Sequence, residues 1–296
     1  MFAIILFGFA FMQAPGVADT AQPVAKARPY LELSLEQLTE RVPELKTLQP
    51  ARDQQLLPTI LSKTGARVDD FFRQVVDLIA HERINQERLD ETRQKRSRSE
   101  YSYLVLVHHN DLSDGPEEYR VDANGNRVEP GGVDRGYAVT SGFAFECLHF
   151  LHPNQSNSTF RFLGTESTRR RSTYVVAFAQ RVGHATNTNF VNLTGIGIVV
   201  PTWIQGIAWI DQQSFQILRM RTDLLEPLFP NALPAYYYQQ TTEITLAETR
   251  LLDVPYPLWL PSEVNVHIRY HGMEFHNKHR YRNYQRFRAS SRILTP

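Results

Sequence analysis

Cysteine is almost absent: Cys147 is the only one in 296 residues. A lone thiol closes no intrachain disulfide and cannot build a structural zinc site from several thiolates. Net charge is equally scarce, since 32 Lys and Arg stand against 31 Asp and Glu for a formal +1. No bulk field therefore draws the chain to nucleic acid or to a membrane surface, and none is expected as a partner on that ground. With 15 glycines and 17 prolines, collagen-like and low-complexity classes are excluded as well. The motifs of common enzymes are also missing: there is no G-x-S-x-G elbow, phosphate-binding glycine loop or H-E-x-x-H helix. Gly195-Ile196-Gly197 lacks the third glycine and the following helix of a dinucleotide fingerprint. The acidic residues show no paired acid and base. The expectation is a protein without cofactor that is not an enzyme.

What is present begins with MFAIILFGFAFM, an uncharged apolar run over Met1–Met12. It is shorter than the roughly 20 residues of a spanning helix and has the length of a signal-peptide core. Gly16 and Ala18 suit cleavage before Asp19, with Ala14 as a rival boundary. A basic leading segment is missing, so a buried strand or an uncleaved anchor stands as the alternative. The reading is a signal peptide over 1–18, a flexible lead over 19–30 and a single domain over 31–296, in a periplasmic or otherwise exported protein.

Within that domain the hydrophobic period changes once. Ser34 and Gln37 form a capping-box pattern ahead of Leu35, Leu38 and Val42, and Pro43 closes that helix. Leu56, Leu57, Ile60 and Leu61 make a second stripe ending at Gly65, and Val68, Phe71, Phe72, Val75 and Ile79 a third. The portion 31–79 is therefore read as helical. Beyond it the period falls to two, which predicts strands near 80–90, 99–109, 117–121, 158–166, 172–181, 203–210, 214–223, 236–252, 258–271 and 273–287. Short turns such as Asn124-Gly125 and His271-Gly272 join them as an antiparallel meander. Ser141–Leu151 is the one helix expected inside the sheet region. Strands apolar on both sides, such as Tyr174 to Ala179 and Ile207 to Ile210, need cover on both faces. The fold class is α+β: a curved antiparallel sheet, an incomplete barrel, wrapped around a few helices with an additional N-terminal helical segment.

Two stretches, GIAWIDQQSFQILRMRTD (206–223) and TTEITLAETRLLDVPYPLWLPSEVNVHIRY (241–270), are similar in order and spacing to the LolA-like superfamily of periplasmic lipoprotein carriers. The first resembles that family's hairpin, with a strand ending in Asp, a turn and a return strand carrying an arginine, here Arg219. The resemblance spans roughly residues 65–288. It implies a half-barrel enclosing an apolar cavity for acyl chains or a lipidated partner. The function expected is a non-enzymatic cell-envelope protein that binds lipid or another hydrophobic ligand. The alternative is an envelope interaction or sensor module without a bound ligand.

Inward candidates for lining such a cavity are Leu104, Leu106, Val176, Phe178, Ile207, Trp209, Leu218, Met220, Ile244, Leu246, Val266 and Ile268. A slip of one residue in any strand exchanges its faces. His267, His271, His276 and His279 crowd the last hairpin but bring no recurring acidic or thiolate partner, so no metal site is assigned. From His267 to Arg292 seven basic residues face one Glu. That segment is read either as a charged edge or as a contact for anionic headgroups or for another envelope protein. Cys147, on an apolar helix face, reads as a buried inert thiol.

Overall fold

The computed structural model describes residues 4–7, 29–74, 78–90, 93–106, 117–128, 143–168, 171–183, 189–193, 198–226, 238–252, 254–270 and 272–286. Apart from 4–7, the segment read as a signal peptide lies outside them, as do residues 19–28 of the lead, His271 and Arg292. In chain order the strands are β1 (Ile4–Phe7), β2 (Gln49–Pro50), β3 (Leu78–Asp90), β4 (Arg93–Leu106), β5 (Glu117–Val121), β6 (Arg127–Val128), β7 (Ser158–Thr168) and β8 (Arg171–Gln180). They continue as β9 (Asn189–Leu193), β10 (Ile198–Thr202), β11 (Ile204–Asp211), β12 (Ile217–Leu224), β13 (Tyr238–Thr249), β14 (Leu258–Tyr270) and β15 (Met273–Arg286). The helices are α1 (Leu35–Arg41), α2 (Leu57–Gln74) and the single turn α3 (His152–Gln155).

Twelve strands form one open antiparallel sheet in the order β2-β7-β8-β11-β12-β13-β14-β15-β3-β4-β5-β6. This is the open α+β sheet the sequence predicts, with one correction to the meander. The last strand, β15, pairs with β3, so the first long hairpin is added at the far edge. Strands β1, β9 and β10 make a separate small sheet that the sequence reading does not contain, and Ile4–Phe7 pairs there with Phe190–Leu193.

The capping box forms as the sequence predicts: Ser34 Oγ accepts from the Gln37 amide and the Gln37 side chain accepts from the Ser34 amide. Three other helix boundaries differ. Gly65 does not stop a helix, because α2 runs through it to Gln74. A Cβ at Gly65 would strike the Gln155 amide and the Phe150 carbonyl, so glycine serves close packing there and not termination. Ile79 belongs to β3, since the period-two pattern starts with Leu78. Within the expected helix Ser141–Leu151, Phe143–Phe150 is a 3-10 helix, in which residues three apart, such as Ala144 and Cys147, follow one another along it. Finally, β12 starts at Ile217, because Asp211 to Gln216 are consumed by the hairpin turn.

Both faces of the sheet are covered, as the doubly apolar strands require. On the concave side α2 and the 3-10 helix pack over Val176, Phe178, Ala208, Ile210, Met220, Ile244, Val264, Val266 and Ile268. On the convex side Tyr30, Leu33, Leu38, Val42 and Leu45 close over Leu163, Val175, Ala177, Ile207 and Trp209. Polar contacts fix that second layer. The Tyr30 amide donates to Gln205 Oε1 at 2.7 Å and its hydroxyl to Asp223 Oδ2 at 2.8 Å. Arg219 and Arg221 both reach Glu44 Oε1, at 2.9 and 3.2 Å. The Arg219 guanidinium also lies 4.6 Å from the Trp209 ring centroid. The arginine singled out by the family resemblance thus clamps the N-terminal segment to the outside of the sheet.

Candidate functional site

The concave face carries an open pocket between α2, the 3-10 helix and strands β12 to β14. Its enclosed volume is about 30 Å³, and the rest of the groove is open to solvent. Val68 and Phe71 come from α2, Met220 from β12, Ile244 and Leu246 from β13, and Trp259 and Pro261 from β14. The helical spacing of Val68 and Phe71 puts both on the face turned to the sheet. Alternation in β13 does the same for Ile244 and Leu246.

Phe215 closes one wall with a strained backbone. Its φ is +59°, a region that bulky L residues avoid. The preceding turn enforces it: Asp211 Oδ1 accepts from the amides of Gln213 and Ser214 and from the Ser214 hydroxyl, and the Phe215 amide donates to the Asp211 carbonyl. Those bonds, with the Arg171 guanidinium at 3.3 Å, outweigh desolvation and hold the Asp211 carboxyl below its ordinary pKa. The turn sets the Phe215 ring beside Tyr174, with centroids 6.0 Å apart.

The polar side of the pocket is sparse. Arg67 sits at its lip, its side chain half exposed, with Nε donating to the Ser214 carbonyl at 3.1 Å and Nη1 to Asp70 at 3.4 Å. Glu146 is different. Burial pushes its carboxyl up to about 7, and Oε2 is buried without a hydrogen-bond partner among the described residues. His149 Nε2 stands 4.0 Å away, beyond hydrogen-bond reach, and burial pushes that imidazole down to about 4. Cys147, also in the lining, is pushed up to about 12 by burial, which makes it an inert thiol at neutral pH.

The residues predicted to line a cavity divide into groups. Met220, Ile244 and Leu246 line the pocket. Val176, Phe178, Val266 and Ile268 share its face but are packed in the core beside it. Ile207 and Trp209 point the other way, into the layer beneath the N-terminal segment. The correction has a local cause: β11 is buried on both faces, so hydrophobicity alone does not say which residues turn inward. Leu104 pairs with Ile79 and Tyr119, one position off Tyr103, and so occupies the convex side. Leu218 is the extra residue of a bulge between Trp209 and Ile210, buried outside both clusters. Leu106 pairs with Glu117, and its side chain is outside the described residues.

Sequence reasoning misses a second buried site entirely. Glu82 accepts four hydrogen bonds: from Arg120 Nε at 2.5 Å and Nη2 at 2.9 Å, the Tyr281 hydroxyl at 2.8 Å and His279 Nδ1 at 2.9 Å. Burial alone would raise its pKa, but the Arg120 charge and these bonds hold it far below the usual carboxylate range. Burial keeps His279 below its ordinary value, hence neutral, so Nδ1 carries the proton it shares with Glu82. The set ties β3, β5 and β15 together. Its one sequence signal, the alternation Ala80, Glu82, Ile84, Gln86, is masked because the opposite face, Ile79, His81, Arg83, Asn85, is equally mixed.

His267 and His276 do not join His279 in that buried set. His267 and His276 face each other across β14 and β15 with ring centroids 4.3 Å apart on the outer face. Among the described residues no His, Cys, Asp and Glu group has the makings of a metal site. The basic hairpin is partly neutralised by acids: Arg269 meets Glu274 at 2.9 Å, and Lys278 and Arg280 meet Glu263 at 2.7 and 3.2 Å. Its described part is a ladder of mixed charge.

No protein-family model and no curated protein matches the chain. Among solved structures it is similar to a domain assigned to outer membrane lipoprotein sorting from Vibrio parahaemolyticus, at 11% identity over 79% of this chain and 93% of that one, with a TM-score of 0.37. A DUF1329 family protein from Desulfovibrio piger is similar at 9% identity over 79% and 94%, TM-score 0.38. The MucA/MucB complex of Pseudomonas aeruginosa gives 12% identity over 75% and 94%, TM-score 0.18. All three TM-scores lie below 0.5, so function is to be read from the chain's own geometry. That geometry is an open antiparallel half-barrel holding an apolar pocket beneath a helix.

Proposed function

We propose that this protein is a non-enzymatic cell-envelope protein that takes a lipid or the acyl part of a lipidated ligand into the pocket beneath α2. The observation carrying this reading is the lining itself: Val68, Phe71, Met220, Ile244 and Leu246 converge from a helix and two strands on space that the core leaves unfilled. Each methylene buried there contributes about 0.8 kcal/mol, so even a partly inserted chain binds without any catalytic group. Location in the envelope is part of the proposal and rests on the apolar run at Met1–Met12, of which Ile4–Phe7 is strand β1 in this structure.

Native mass spectrometry of the full chain incubated with dodecanol tests the reading. One bound chain per protein is expected, with uptake lost in Leu246→Trp, which fills the pocket. Absence of uptake in the unaltered protein would contradict it and favour an interaction module whose interior is closed to ligands.

A further inference from the structure

Resting on that reading, we propose that Glu146 selects the headgroup, so that the pocket takes amphiphiles bearing a primary ammonium in preference to fatty acids. The lining holds two charged side chains, Arg67 and Glu146, and they are not equivalent. Arg67 is half exposed and spends its donors on Ser214 and Asp70. Its charge is screened by water and matched by a carboxylate. Glu146 shares the lining with Val68, Phe71, Cys147 and Ile217, and its side chain is 14% exposed. The nearest candidate partner, His149, is out of hydrogen-bond range and neutral.

A buried carboxyl oxygen without a donor is costly, and proteins satisfy the great majority of such atoms. Among the described residues none donates to Oε2. A ligand head with N–H groups supplies it, and an ammonium also supplies the countercharge that stabilises the ionised acid. A fatty acid brings the opposite: a second carboxylate beside Glu146, with repulsion in a poorly solvated site. The acyl part runs along Met220, Ile244 and Leu246 while the head stays at Glu146.

The test uses three probes of equal chain length, dodecylammonium, dodecanol and dodecanoate, titrated calorimetrically below their micelle concentrations at pH 8. For the unaltered protein the affinity order expected is ammonium, alcohol, carboxylate, with at least about tenfold between the first two, the effect of one charge-assisted hydrogen bond. In Glu146→Gln the ammonium should lose that advantage, dodecylammonium and dodecanol then binding within about twofold of each other. Dodecanoate binding as tightly as dodecylammonium to the unaltered protein overturns the proposal, whether or not the variant folds. An ammonium preference that survives in Glu146→Gln overturns it as well. Equal binding of all three sinks headgroup selection and leaves the acyl pocket standing; no binding by any of them removes both.

Discussion

Glu146 and His149 stand three residues apart in one 3-10 helix and are shifted in opposite directions, which gives a distinct pH signature. Glu146 is raised to about 7, so its contribution is full below the unfolded value near 4.5 and is lost as pH rises to about 7. His149 is lowered to about 4, so its contribution is full above about 6.5 and is lost as pH falls towards 4. Between pH 4.5 and 6.5 the two slopes nearly cancel. Glu146→Gln removes one of them. The variant should be more stable than the parent at pH 8, by on the order of 3 kcal/mol, and its stability should fall as pH drops from 6.5 to 4. Urea unfolding at four or five pH values measures this; parallel curves for parent and variant would refute the burial of Glu146, and a variant curve that stays flat from pH 6.5 to 4 would refute that of His149. At the second buried site, Glu82→Ala leaves Arg120 enclosed without its countercharge. A loss of about 3–5 kcal/mol is expected in the same assay, whereas removal of a surface acid costs about 1 kcal/mol or less.

At the scale of elements, the capped helix, the bulk of the strands and their antiparallel sense are legible in the sequence because each follows from a local period and a local turn. The N-terminal segment shows what is not. Its apolar stripe announces burial, but Trp209 as its target lies far along the chain, and β11 offers no polar face to reveal the register. Trp209→Ala should cost about 3–5 kcal/mol of stability and leave dodecanol affinity unchanged, since the ring lies across the sheet from the pocket. Loss of dodecanol binding in a folded Trp209→Ala protein would place that residue on the wrong face. Gly164 allows the same layer to dock. It adopts φ +146° in the β7 bulge, and a Cβ there would collide with the Gln49 carbonyl oxygen of β2. Gly164→Ala should release β2, read as faster amide exchange across 30–50 with β13 and β14 protected.

Across the whole molecule, two layers on opposite faces of one sheet divide the work. The convex layer, with Arg219, Arg221, Glu44 and Trp209, is closed and holds the N-terminal segment. The concave layer is left open over β12 to β14, where Val68 and Phe71 of α2 line the gap. That division explains why the half-barrel is readable from the sequence while the site is readable only in part. Pairing within each hairpin follows from its turn, but which apolar residues meet a ligand depends on where the helix stops covering them. Met220, Ile244 and Leu246 lie beneath the gap; Phe178, of similar apolar character, packs against Phe150, His149 and its cross-strand neighbour Phe160. Glu146 could not be singled out, because its distinction is the lack of a partner in three dimensions.

Tryptophan fluorescence reports on this directly, since Trp259 lines the pocket while Trp209 is sealed on the other face. Titration with a terminally brominated dodecanol should give saturable quenching in the unaltered protein and in Trp209→Phe, and should lose most of it in Trp259→Phe. Quenching that is absent, or unchanged in Trp259→Phe, would mean that no chain enters beneath α2.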